Sequence, residues 1–179
     1  MRHFCFVSVV LVLICSVMAD DKTNSPLVTR QQTKLNLKGA ELILSAAQAK
    51  ATDMKVAMNI AVVDDGGHLI TFARMDGARP ASVPTALTKA TAAATFRQPT
   101  GPLPANGEPN LLLSLGVPAA AAASGGKMTT LKGGVPIVVD GQVIGAVGVG
   151  GGSGEQDAEV AQAGINMLLK ALAADSKAP

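Results

Sequence analysis

Apolar residues recur along this chain with two periods, and the switches between them divide it into elements. Leu37, Ala40, Leu44, Ala47, Ala51 and Met54 alternate spacings of three and four, which predicts one buried face of a helix. Met58 to Val63 is dense in β-branched residues and reads as a strand. Asp64-Asp65-Gly66-Gly67 supplies turn residues that tolerate positive φ, and Leu69 to Met75 reads as the returning strand of a hairpin. The Asp76-Gly77-Ala78-Arg79-Pro80 loop follows, with Ser82 as the expected cap of a helix running to about Arg97.

From Gln98 to Pro118 there are five prolines and few periodic positions, so a long and mostly irregular excursion is expected, with at most a short helical turn at Ala119 to Ser124. Val135 to Val139, the Asp140-Gly141 turn and Val143 to Val149 make a second hairpin. Ser153 and Gln156 then fit a capping box on a helix from Gly154 to Ala173, with Ala158, Ala161, Ile165, Leu168 and Leu172 on its buried face. Helix, hairpin, helix, hairpin, helix predicts an α+β domain with an antiparallel sheet, because parallel strands would need crossovers.

The ends behave differently. Residues 1–19 carry Arg2, an unbroken apolar stretch from Phe4 to Val17 and the small-residue ending Val17-Met18-Ala19, the pattern of a secretory signal peptide. This core of 14 residues falls short of the ~20 that span a bilayer as a helix, so no membrane anchor is expected after processing, and the protein is expected to be secreted or periplasmic. Residues 20–35 are polar and are expected to be a flexible lead-in to a domain at 36–175. Both cysteines, Cys5 and Cys15, lie in the leader, so the 160 residues after it hold no thiol for a disulfide or a thiolate metal site.

Without the leader, 14 basic residues face 13 acidic ones, a formal charge of +1. The basic residues are scattered and Trp and Tyr are absent, which excludes nucleic-acid binding by a basic stripe with stacking aromatics. His68, in the first hairpin turn, is the one histidine beyond the leader, so imidazole chemistry has a single address per subunit. One histidine cannot build a structural zinc site.

Five separated motifs carry a resemblance. Ile60-Ala61-Val62-Val63-Asp64 through Gly67-His68-Leu69, Arg74-Met75-Asp76-Gly77-Ala78, Lys89-Ala90, Gly133-Gly134-Val135-Pro136 and Val143-Ile144-Gly145-Ala146-Val147-Gly148-Val149 together resemble the haem-binding HbpS and GlcG family, known for a haem-degrading domain and related to the C-terminal domain of PduO-type proteins. The resemblance covers residues 36–173 and implies a profilin-like layered domain with a central antiparallel sheet flanked by helices. It also implies homo-oligomers, often octamers, and haem as cofactor. Relatives of the PduO type ligate haem through a histidine in the corresponding turn, which points to His68 as cofactor and metal ligand. Where many members read Gly-Val-Ser-Gly-Gly, this chain reads Gly148-Val149-Gly150-Gly151-Gly152.

A neutral imidazole is a common axial ligand of haem iron, whereas an isolated turn histidine more often ligates nothing. Arg74 and Arg79 are candidates for a haem propionate or a small acid, since a guanidinium fork matches a carboxylate; the competing reading is a pair with Asp76 that fixes the loop. Lys89 is a candidate to line a polar pocket, although Thr85, Thr88, Thr91 and Thr95 around it suggest a solvated helix face. Gly148 to Gly154 opens a helix as an anion loop would, but it matches no phosphate or dinucleotide fingerprint. Glu155, Asp157 and Glu159 also occupy its start, so close packing or subunit contact is the expected use. Met54, Met58, Met75 and Met128 are possible thioether ligands.

Binding is favoured over catalysis. The expected function is an exported haem-binding protein for haem capture, buffering or redox sensing. Alternatives are a GlcG-type small-molecule enzyme or accessory protein of hydroxy-acid metabolism and an oligomeric scaffold without a ligand.

Overall fold

The computed structural model describes residues 24–25, 27–29, 32–104 and 107–176. The leader expected at 1–19 lies outside the described residues. The chain divides into residues 1–32 and 33–179. In the first unit β1 (Asn24–Ser25) pairs antiparallel with β2 (Val28–Thr29), a ladder too short for periodicity to reveal, in a stretch expected to be a flexible lead-in.

In the second unit β3 (Asn59–Asp64), β4 (Leu69–Arg74), β5 (Gly134–Val139) and β6 (Gln142–Gly150) form one antiparallel sheet in the order β4-β3-β6-β5. Each hairpin pairs with itself, and the two join through β3 and β6, whose register runs from Asn59 opposite Gly150 to Asp64 opposite Gly145. Asp140 and Gly141, at φ 50° and 74°, give the second hairpin the left-handed two-residue turn that matches strand twist.

Helices cover both faces. On one side α1 (Leu37–Asp53) and α4 (Gly154–Asp175) bury Ala40, Ile43, Ala47, Val160, Ala161, Ile165 and Leu168 against Ile60, Val62, Val147 and Val149. On the other, α2 (Ser82–Phe96) sets Ala90, Ala93 and Ala94 over Ala61, Val63 and Ala146. The α+β architecture with a central antiparallel sheet flanked by helices is therefore as the sequence predicts.

Local departures have identifiable causes. Asn36 caps α1 by accepting from Gly39 N at 2.8 Å, and Ser153 and Gln156 form the predicted capping box on α4. Ser82 does not cap α2: Ala81 holds that position, and the Ser82 hydroxyl accepts from Arg79 Nε at 2.9 Å. The stretch expected to be irregular to Pro118 contains α3 (Leu111–Ala123), started by Asn110, whose side chain accepts from Leu113 N at 3.0 Å. Pro118 sits inside this helix, and only Val117 of it is buried. On α4, Leu172 is exposed and Val160 takes part in the buried face.

The two layers meet closely because β5 and β6 each place a glycine where α2 crosses them. A Cβ on Gly148 would enter the backbone at Ala86 O and Ala90 N, and one on Gly134 would enter Lys89 O. Gly148→Ala is therefore expected to lower stability by about 1–3 kcal/mol through overpacking. Gly116→Ala, in an exposed helical position with nothing within 4 Å, should add about 0.5–1 kcal/mol. Urea denaturation of the two variants checks both signs, and a neutral Gly148→Ala contradicts the close-packing account.

Candidate functional site

The first hairpin turn is organised by one carboxylate. Asp64 Oδ1 accepts from Gly66 N at 2.9 Å and His68 N at 2.8 Å, and Gly67 N bonds Asp64 O at 3.0 Å. Gly67 takes φ 82°, and its carbonyl accepts from Thr91 Oγ1 at 3.0 Å, which ties the turn to α2. The same Asp64 oxygen lies 3.3 Å from His68 Nδ1. That contact favours the tautomer with the proton on Nδ1, leaving the Nε2 lone pair free. The imidazole is 81% exposed, so the free nitrogen faces outward rather than into a cleft.

Asp65, next in the turn, is held from the other side by Lys34 Nζ at 2.7 Å. The hydrogen bond from Lys34 is the main cause that keeps the Asp65 carboxyl below the ordinary aspartate range.

The other predicted residues do not gather round His68. Asn59 Nδ2 donates to Arg79 O at 3.0 Å and to Gly150 O at 3.4 Å, which places Arg79 at the opposite end of β3 from the turn. Five steps of strand at roughly 3.3 Å each separate the ends by about 17 Å. Arg74, paired across from Asn59, is exposed at that same end. Among the described residues neither arginine pairs with Asp76; Arg79 uses Ser82 instead. The carboxyl group of Asp76 is not needed to fix the loop, because the backbone bond from Ala78 N to Met75 O and the Asn59 amide already do so.

Lys89 reverses the solvated-face expectation. It is 5% exposed, with Nζ 2.7 Å from Asp157 Oδ2 and 2.8 Å from Val149 O. Asp157 is itself 2% exposed and accepts from Gly152 N through its other oxygen at 3.0 Å, so the ion pair ties α2, β6 and α4 together. Threonines surround Lys89 along the sequence, but its ring of near neighbours on the helix, Ala86, Ala90 and Ala93, is buried, and that was the available signal. In the sequence Asp157 stands out only as a charge near the start of a helix, because its partner is 68 residues away.

Two clefts flank α2. One, of ≈ 330 Å³, brings together Arg79, Ser82, Thr85, Lys89, Lys132, Asp157 and the glycines of the β6–α4 connection. The other, of ≈ 360 Å³, is apolar and lies between the C-terminal end of α2 and α3, lined by Phe96, Leu112, Leu113, Val117 and Met128 among others. His68 and Arg74 line neither. Of the candidate thioethers, Met58 is fully buried and Met54 and Met75 pack against the core, leaving Met128 in the apolar cleft. Among the described residues no group of three or more His, Cys, Asp or Glu side chains is placed to hold a metal ion, and no helix is long and apolar enough to cross a membrane.

Two results should follow from these contacts. Lys89→Met leaves Asp157 buried and unpaired and should cost about 3–5 kcal/mol, with most of the loss recovered in Lys89→Met/Asp157→Leu. Thermal unfolding of the single and double variants checks this, and additive losses contradict it. In the turn, a lowered carboxyl stabilises the folded state above its ordinary titration range and loses that contribution as pH falls through the lowered value. The pair is about half exposed, which limits the gain to under ~1 kcal/mol. Lys34→Ala should return the Asp65 titration, followed by carboxyl NMR, to the ordinary aspartate range; an unchanged titration contradicts the assigned cause.

Comparison with known proteins agrees with the fold. The family described as haem degrading protein, HbpS-like, matches residues 35–166. The chain is 40% identical to protein GlcG of Escherichia coli K12 over 110 residues, covering 62% of this chain and 76% of that protein. The crystal structure of Klebsiella pneumoniae protein ORFY superposes with a TM-score of 0.68 at 30% identity, covering 81% of this chain and 98% of that one. A crystal structure of a PduOC–haem complex gives 0.63 at 27% identity, covering 75% and 95%. The chain belongs to the HbpS-like family.

Proposed function

We propose that this protein binds haem, with His68 as axial ligand to the iron. The observation that carries the reading is the Asp64–His68 pair: a carboxylate that orients the ring through Nδ1 and leaves Nε2 free is the arrangement that metal-ligating histidines use. Membership of a family described as haem degrading, and a structural neighbour crystallised with haem, support it from outside the chain.

The fit is good at the ligand and poor for the propionate partners first expected. Arg79 stands at the other end of β3, about 17 Å along the strand from the turn, and Lys89 spends its ammonium on Asp157 and Val149 O, so neither is arranged around His68 as a ready propionate partner. Bound haem would supply iron-centred ligand exchange and redox chemistry. The chain's own part is to present Nε2 in fixed orientation: Asp64 sets the ring, Thr91 anchors the turn, and Lys34 braces it through Asp65.

An imidazole so exposed leaves most of a flat macrocycle in water, so we take the functional unit to be a homo-oligomer in which another subunit covers the haem. The exposed leucines at 111, 112, 113 and 115 of α3 give an apolar surface for such assembly. With the leader at residues 1–19, the role is capture, buffering or sensing of haem outside the cytoplasm, in a secreted or periplasmic protein. Binding suffices for this role.

Hemin titration tests the reading. The wild type should show a saturable, stoichiometric Soret shift, His68→Ala should weaken binding at least ~10-fold, about 1.4 kcal/mol, and Arg79→Gln should leave it unchanged. A Soret shift that survives His68→Ala removes the ligand assignment, and no saturable shift removes haem.

A further inference from the structure

The polar cleft beside α2 has a chemistry of its own, and its argument does not rest on the haem reading. We propose that it is a binding site for a small, singly charged carboxylate.

Its charge points that way. Arg79, Lys89 and Lys132 line it together with Asp157, and Glu155 lies 3.4 Å from Lys132 at the edge, which leaves one net positive charge. The cationic donors are not used up. Arg79 spends Nε on Ser82 Oγ, and its two terminal nitrogens have no partner among the described residues. Lys89 bonds Val149 O and Asp157, two of the three N–H groups an ammonium carries. A guanidinium and a buried ammonium lining one cavity, each with N–H groups to spare, have the chemistry of a carboxylate receptor, in which the fork can give two parallel bonds.

The buried ion pair is better explained by this cleft than by stability. An apolar pair of similar volume would commonly be as stable or more so. Here the pair does two further things: it neutralises the carboxylate nearest the cleft, and through Asp157 it holds Gly152 N in place. A Cβ at Gly150 would press on Ser82 and Thr85 and one at Gly154 on Lys132, all residues that line the cavity, and the Ser82 and Thr85 hydroxyls offer polar contacts to the rest of the ligand. The ≈ 330 Å³ is at the small end of ligand pockets. A phosphate dianion suits it less, because Ser153 and Gln156 already cap the start of α4 and Glu155 and Asp157 oppose a second negative charge.

Amide NMR of the full chain, titrated with sodium acetate at constant pH and ionic strength, tests the site. Saturable shifts of the Gly150, Gly151, Gly152 and Gly154 amides are expected, with Kd near ~1 mM or tighter. Arg79→Gln should weaken binding at least ~10-fold, Arg79→Lys should recover only part of it, and His68→Ala should change nothing. Lys132→Gln, at an exposed position, should weaken binding several-fold and serves if an Arg79 variant does not fold. Non-saturating shifts, undiminished binding in Arg79→Gln or Lys132→Gln, full affinity in Arg79→Lys, or loss in His68→Ala would overturn the proposal. Tighter binding of inorganic phosphate than of acetate would overturn the assignment to a monoanion.

Discussion

The backbone of α2 can rest on the sheet only because glycines stand beneath it. Gly148 and Gly134 lie against Ala86, Lys89 and Ala90, with no room for a methyl group. Close approach gives the alanines of α2 a core to bury in, though they offer little side-chain area each. It also fixes both functional regions, since α2 anchors the hairpin turn through Thr91 and lines the polar cleft through Ser82, Thr85 and Lys89. A protein poor in aromatic residues thereby obtains order from backbone proximity and from one buried ion pair that bridges three elements.

The turn and the cleft occupy opposite ends of β3 and solve different problems. At the turn, Asp64 accepts several hydrogen bonds and orients an exposed ring, an arrangement suited to a ligand that arrives from solvent or is shared with another subunit. In the cleft, a buried and mutually compensated pair, Lys89 and Asp157, stands beside the exposed Arg79 and Lys132, which suits a small anion that sheds part of its water to enter. His68 lies at one end of β3 and Arg74 and Arg79 at the other, while Lys89 on α2 is engaged with Asp157 and Val149 O.

Much of the fold was legible because its signals are local. The apolar spacing of α1 and α4, the Asp-Gly turns and the Ser153–Gln156 box each act within a few residues, and the elements they predict appear where expected, although Leu37 and Leu172 at the helix ends are exposed. Helix α3 was not legible: Leu111, Leu112, Leu113 and Leu115 are apolar without a single face, and Gly116 and Pro118 argue against a helix, so only Asn110 marked its start. The site was half legible. His68 could be found by elimination, whereas burial of Lys89 depends on Asp157 and Val149 O, which only the folded sheet brings to it. Asn59, whose amide joins Arg79 to Gly150 while its Oδ1 finds no partner among the described residues, read simply as part of a strand.

The central claim is that haem iron is bound through the outward nitrogen of His68. Electron spin-echo spectroscopy of the ferric complex, comparing protein grown with ¹⁵N-histidine against unlabelled protein, reads that bond itself. The account predicts a hyperfine pattern that changes on labelling, as for an imidazole nitrogen bound to iron, and that is absent when His68→Ala is labelled in the same way. A spectrum indifferent to the label would contradict it.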